Sequence, residues 1–370
     1  MIKSRDFINC LIHKDYVSFY GVPDSLLSSF SKSLFFDFED INNFVTANEG
    51  SALGMGIGYS ISTNKIPVIY LQNSGLGNII NPYTSLANEK VYNTPCLFII
   101  GWRGHPHSKD EPQHQFQGAI TSDMLEMLGI SYLVLDADSN FEQIIDKAYE
   151  ENLKKKSFAI LVKDKTFEDD KRAFPEIDTE LSREKALEHI IKIENKNNIY
   201  VTTTGKLSRE LYSLRLNSNL SPSDFYLVGG MGHTFSIAFS VAHENQDKLV
   251  ICLDGDGSML MHLGSLGIIS SKKIENFIHI LFNNASHQSV GGQPTYIETI
   301  DVKQLSKSLG YKSYLKIKHP DDITKSIYDL PRPTFIEIEV NNDFNESLIR
   351  PTNTPEENVN NFQKLLKNDH

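Results

Sequence analysis

Two apolar runs end in oxygen-bearing side chains. Leu249-Val250-Ile251-Cys252-Leu253 stops in Asp254-Gly255-Asp256-Gly257-Ser258, and Phe277 to Phe282 stops in Asn283-Asn284-Ala285-Ser286. Gly-Asp-Gly at a strand end puts a carboxylate at the C-terminal edge, between two residues whose bare backbone lets a diphosphate come close. Asp256 and Asn284 are 28 residues apart, room for one helix and one adjacent parallel strand, so the two strand ends should be neighbours. An Asp carboxylate, an Asn carbonyl and a main-chain carbonyl are hard oxygen ligands of the kind Mg²⁺ prefers, with phosphate oxygens and water completing an octahedron. Gly-Asp-Gly alone is more often a plain turn. The second strand end at this spacing turns it into a Mg-diphosphate site in outline.

A further carboxylate stands in Thr46-Ala47-Asn48-Glu49-Gly50-Ser51-Ala52-Leu53-Gly54-Met55-Gly56. The small residues after Glu49 let a helix pack tightly against another backbone or a ring; in isolation such a Glu is a dipole or capping contribution. Val228-Gly229-Gly230-Met231-Gly232-His233 reads as a Gly-rich turn into a helix, or as a loop with a buried Met. Arg103, Lys109 and His114 fall within twelve residues after a strand end, where they could grip an anionic group. The plainer reading is loop charges paired with Asp110 and Glu111.

The elements that must position these residues alternate. Short strand runs at Pro67 to Leu71, Pro95 to Ile100, Ala159 to Val162, Ile199 to Thr203, Leu249 to Asp254, Phe277 to Phe282 and Thr334 to Val340 are separated by longer helical segments. Runs that are apolar throughout belong to parallel sheets covered on both faces, and ligands of such sheets sit beyond the carboxyl ends of the strands. The expected fold class is α/β, with two doubly wound parallel-sheet domains. Charged residues from Lys163 to Arg172, followed by Pro175, mark the boundary. The expected division is 1–170, 184–350 and a polar C-terminal tail, 351–370, with no short internal repeat.

Together these residues resemble the thiamine-diphosphate-dependent 2-oxo acid decarboxylases, whose signature runs from Gly-Asp-Gly to Asn-Asn. The resemblance to the phosphonopyruvate branch, with the sulfopyruvate branch near it, rests on further stretches: Phe19-Tyr20-Gly21-Val22-Pro23-Asp24-Ser25, Gln72-Asn73-Ser74-Gly75-Leu76-Gly77-Asn78, Gly101-Trp102-Arg103-Gly104, Lys109-Asp110-Glu111-Pro112-Gln113-His114, Thr203-Thr204-Gly205-Lys206-Leu207-Ser208-Arg209-Glu210 and Val290-Gly291-Gly292-Gln293. It implies a pyrimidine-binding first domain and a diphosphate-binding second one, without the middle domain of larger relatives. It makes thiamine diphosphate and Mg²⁺ the cofactors, and Asp256, Asn284 and the Ser286 carbonyl the metal ligands. Gly205, Gly229, Met231, Gly255, Gly257 and Ser258 would line the cofactor, Met231 propping it in its bent shape. Glu49 would bind the pyrimidine and drive the tautomer that takes the thiazolium proton. Asp24 and His114 join Glu49 as catalytic candidates, and Ser25, Gln72, Arg103 and Lys109 as substrate contacts. The implied reaction is phosphonopyruvate to phosphonoacetaldehyde and CO₂, in phosphonate biosynthesis. It also implies a homodimer or higher homo-oligomer with active sites at the subunit interface.

Composition narrows the partners. With 36 basic and 47 acidic side chains the net charge is −11 and no cationic stripe forms, so a nucleic-acid partner is not expected. The longest apolar stretches fall far short of the roughly 20 residues that cross a bilayer. Met1 to Asp6 opens without a signal region, and Cys10, Cys96 and Cys252 read as separate reduced thiols; the expected location is the cytoplasm. A dinucleotide-binding oxidoreductase is disfavoured by the spacing in Gly54-Met55-Gly56-Ile57-Gly58. Sulfopyruvate decarboxylation, carboligation and a non-catalytic subunit of the same fold are the other rivals.

Overall fold

The computed structural model describes residues 1–367 apart from 107, 109, 111, 273, 346 and 350. The chain divides into two compact units, Met1–Phe174 with His287–Gln293, and Pro175–Ser286 with Pro294–His370.

The first unit runs α1 (Ser4–His13), β1 (Ser18–Gly21), α2 (Ser28–Asp37), β2 (Asn42–Val45), α3 (Glu49–Thr63), β3 (Val68–Gln72), α4 (Leu76–Pro82), β4 (Leu97–Gly101), α5 (Pro112–Met127), β5 (Ser131–Leu135), α6 (Phe141–Leu153) and β6 (Phe158–Val162). Its six strands are all parallel, in the order β2-β1-β3-β4-β6-β5. The second unit runs α7 (Arg183–Ile193), β7 (Asn198–Thr202), α8 (Lys206–Asn217), β8 (Phe225–Tyr226), α9 (Thr234–Glu244), β9 (Leu249–Gly255), α10 (Asp256–Met261), β10 (Phe277–Asn283), α11 (Val302–Leu309), β11 (Ser313–Ile317), β12 (Thr334–Glu339) and α12 (Pro355–Lys367). Its strands are also all parallel, in the order β11-β12-β10-β9-β7-β8. Read from β8, this is the order of the first unit. One topology occurs twice, without a sequence repeat that announces it.

The seven strands expected from apolar runs all form, because each is buried on both faces. In the first unit Val68, Tyr70, Leu97 and Ile99 pack on one side of the sheet, and Ile69, Leu71, Phe98 and Ile100 on the other. In the second, Ile251, Ile278 and Ile280 face one core, and Val250, Cys252 and Phe277 the other. Each such side chain contributes roughly 1.5–3 kcal/mol by leaving water. The segment 351–370 contains α12, whose Phe362 sits in the second unit's core and whose Asn358 donates to the Asp224 carbonyl (2.8 Å). No described helix is long and apolar enough to cross a membrane.

Candidate active-site residues at two carboxyl edges

Parallel crossovers force the chain to turn at the carboxyl end of every strand, and a crevice opens where the strand order reverses. In the first unit that point lies between β1 and β3. Asp24 and Ser25 follow β1, Glu49 follows β2, and Gln72 closes β3. Arg103 follows β4.

Glu49 begins α3. The Asn48 side chain caps the helix by accepting the Ser51 N–H (2.8 Å). The Glu49 side chain is buried, and Asn78 Nδ2 donates to its Oε2 (2.7 Å). Its Oε1 lies over Gly75, where an added Cβ would come within 2.4 Å. The glycine is therefore a steric requirement of the carboxyl group. Asp24 shows the same device: a Cβ at Gly101 would fall 2.0 Å from Asp24 Oδ2, which accepts the Leu26 N–H (3.1 Å). Asp24 is fully buried, and its Oδ1 has no hydrogen-bond partner among the described residues. Burial pushes its carboxyl up to about 6, with Arg103 and backbone N–H groups pulling the other way.

Arg103 is committed within its own unit. Its Nε and Nη2 donate to Asp110 (2.7 Å each) and its Nη1 to Ser25 (2.9 Å), while His114 Nδ1 lies 3.0 Å from Asp110. Asn73 fixes the Arg103 backbone by donating to its carbonyl (2.9 Å) and accepting its N–H (3.1 Å). Arg103 and His114 thus meet on Asp110, a residue that sequence reasoning treated as a mere counter-charge, and Arg103 also reaches Ser25. Gln72 turns to Ser74 (2.6 Å). Lys109 lies outside the described residues.

In the second unit the order reverses between β7 and β9. Thr203 Oγ1 and the Gly232 N–H both donate to Ser258 Oγ (3.0 and 3.2 Å). A hydroxyl that accepts twice still has its own hydrogen to give, which suits an anion. Gly205 has φ +97° as it leads into α8. At Gly255 an added Cβ would meet nothing described within 4 Å, so this backbone is open to close approach. Gly229 and Met231 lie between β8 and α9, and Gly257 in α10.

The oxygen triad is the most informative geometry. Asn283 is turned away, donating to the buried Glu337 (2.8 Å). Asn284 faces Asp256: the Oδ1 end of its amide stands 3.2 Å from Asp256 Oδ1 and 3.1 Å from the Ser286 carbonyl. In this orientation Asn284 Nδ2 donates to Asn342 (2.7 Å) and its oxygen accepts the Ser286 N–H (3.3 Å). Three oxygens then converge with no hydrogen among them. Turning the amide over would supply donors to Asp256 and Ser286 and forfeit the donor to Asn342. Amide orientation follows its surroundings, and a cation favours the converged form. Burial pushes Asp256 up to about 6, so a positive partner would stabilise this carboxylate. The residues fit Mg²⁺ and a diphosphate. Sequence reasoning quoted Thr203 within a stretch of family resemblance without giving it a role, and missed Asn342 and Thr295, neither of which stands in a distinctive triplet.

Two other features lie apart from these groups. Cys252 and Asp254 of β9 and His279 of β10 form a buried cluster, with His279 Nδ1 on the Tyr311 hydroxyl (2.9 Å). A cavity of about 920 Å³, lined by Asn198, Lys248, Asn276 and Arg332 among others, opens at the opposite, amino-terminal edge of the second sheet.

Two family descriptions match the chain: Thiamine pyrophosphate enzyme, N-terminal TPP binding domain, over residues 4–127, and Thiamine pyrophosphate enzyme, C-terminal TPP binding domain, over residues 203–338. Two repeated parallel sheets with acid groups at one edge and an oxygen triad at the other agree with that match, and the chain belongs to the thiamine pyrophosphate enzymes. Within that class it is similar along its length to phosphonopyruvate decarboxylases. Identity is 28% with that of Streptomyces viridochromogenes, over 99% of this chain and 95% of the relative. It is 29% with that of Streptomyces hygroscopicus, over 99% and 94%. A sulfopyruvate decarboxylase of Methanosarcina acetivorans is 26% identical over 78% of each chain.

Proposed function

We propose that the protein decarboxylates phosphonopyruvate to phosphonoacetaldehyde and CO₂, as a step of phosphonate biosynthesis, with thiamine diphosphate and Mg²⁺ as cofactors. The observation that carries the cofactor reading is the match of both halves to thiamine pyrophosphate binding domains, and it is supported by the Asn284 amide standing 3.2 Å from Asp256 Oδ1 and 3.1 Å from the Ser286 carbonyl. The substrate reading is supported by similarity to two phosphonopyruvate decarboxylases over 99% of the chain.

Thiamine diphosphate, when bound, supplies the electron sink that lets CO₂ leave a 2-oxo acid. Asp256, Asn284 and Ser286 would hold the Mg²⁺ that neutralises its diphosphate. Gly205, Gly229, Met231, Gly255, Gly257 and Ser258 would line it. Glu49, fixed by Asn78 against Gly75, would share a proton with the pyrimidine nitrogen. In the net reaction the carbon–carboxylate bond breaks and a carbon–hydrogen bond forms in its place. Asp24, with one oxygen unpartnered among the described residues and its carboxyl pushed up to about 6, is suited to deliver that proton. Arg103 and His114, gathered on Asp110, and Ser25, Gln72 and Lys109 are the candidates for substrate contact.

The working form we propose is a homodimer or larger assembly of identical chains. On α3, Met55 and Ile61 are exposed, and Cβ atoms at Gly54 and Gly58 would meet nothing described within 4 Å, so this helix face is open to a second copy. The cytoplasm suits three unpaired thiols.

Sulfopyruvate is the second reading, favoured by the Methanosarcina relative. Release of CO₂ and aldehyde from phosphonopyruvate, sulfopyruvate and pyruvate, with and without the two cofactors, separates them. Preferred turnover of phosphonopyruvate is expected. Preferred turnover of sulfopyruvate would replace the substrate, and the absence of any cofactor-dependent reaction would remove the function.

A further inference from the structure

We propose that Thr295 is the positioning residue of the cation site, fixing which oxygen of Asp256 is offered to the metal; the proposal rests on the metal reading given above. A carboxylate can exchange its two oxygens by rotation about its last bond. Asp256 is only 3% exposed, so solvent cannot hold either oxygen in place. Thr295 Oγ1 donates to Asp256 Oδ2 at 2.6 Å. That bond leaves Oδ1 to face the Asn284 amide at 3.2 Å, and the same amide stands 3.1 Å from the Ser286 carbonyl.

Thr295 is itself held at the base of a loop. Its N–H donates to the Ala285 carbonyl (3.1 Å), and Ser286 bridges Pro294 in antiparallel fashion. The frame that places the Thr295 hydroxyl therefore also places the Ser286 carbonyl, so two of the three converging oxygens share one local scaffold. A β-branched side chain with a single stiff torsion keeps that hydroxyl in register. Groups that orient metal ligands by hydrogen bonding commonly change metal affinity by 10–100-fold when removed.

The test is calorimetric titration of Mg²⁺ into the full chain at saturating thiamine diphosphate. Thr295→Val keeps the shape and loses the donor; Thr295→Ser keeps the donor. The expected result is an apparent Mg²⁺ affinity weakened about tenfold or more in Thr295→Val and near the parent value in Thr295→Ser. The Mn²⁺ electron-paramagnetic-resonance spectrum should change only in the valine variant. Excess Mg²⁺ should restore cofactor binding to Thr295→Val by mass action, and retention of affinity in Thr295→Ser separates loss of the donor from a general loosening of the loop. Thr295→Ala gives the same comparison if valine disturbs the loop. Unchanged Mg²⁺ affinity in a folded variant without the donor overturns the role of Thr295 while leaving the site intact. A parent chain that binds thiamine diphosphate without regard to Mg²⁺ overturns the metal reading and this role together.

Discussion

The two units share a strand order and place different chemistry at the same edge. Beyond β1 to β4 the first unit buries acids: Glu49 and Asp24 each lie against a glycine that leaves room for a carboxyl group, and Arg103 is tied to Asp110. Beyond β7 to β10 the second unit presents open glycine backbone, a hydroxyl with a hydrogen to give, and three converging oxygens. On the function proposed above, the same topology would supply a proton-handling edge in one unit and a cation- and anion-holding edge in the other. The crevice comes from the strand order, and its task comes from a few residues placed there.

Substitutions can break that division of labour. The largest effect is expected from Glu49→Gln, which keeps the side chain's shape and removes its acid. Turnover should fall about 10²–10⁴-fold while thiamine diphosphate still binds; steady-state assays beside cofactor titration would show it, and full activity would strip Glu49 of its role. Asp24→Asn probes the same edge through stability. Asp24 is pushed up to about 6, against an ordinary carboxylate near 4. Between those pH values the folded chain binds a proton that the unfolded chain has lost, so stability falls as pH rises from about 4 to about 6 and then levels off. The Asn variant should lack that decline and be more stable above pH 6 by on the order of 2–3 kcal/mol. Thermal midpoints between pH 4 and 8 would check this, and superimposable profiles would show that Asp24 bears no such cost. Gly75→Ala should have the smallest effect. Its new Cβ must push the Glu49 carboxyl aside, which should lower turnover about tenfold with little change in cofactor affinity.

Legibility in the sequence followed burial. Strands covered on both faces were readable as apolar runs. β2, β5, β8 and β11 were not: β2 and the first four residues of β5 alternate between exposed and half-buried positions, β11 is mostly half-buried, and β8 has two residues. β1 is buried throughout, but as Ser-Phe-Tyr-Gly it is too short and mixed to stand out. At the sites, motifs pointed to Asp256, Asn284 and Glu49. Gly75 and Asn78 stand in a stretch that carries the resemblance, but their hold on Glu49, like that of Thr295 on Asp256, could not be read, because it acts through contacts made across 26 to 39 positions of chain. Nor does a loop composition reveal that Asp110 gathers Arg103 and His114.

The most direct test of the division is titration of thiamine diphosphate into the parent chain and Asp256→Ala, each with and without Mg²⁺. The account predicts tight binding to the parent only when Mg²⁺ is present, and loss of that Mg²⁺-dependent gain in Asp256→Ala. Equal affinity in all four titrations would contradict it.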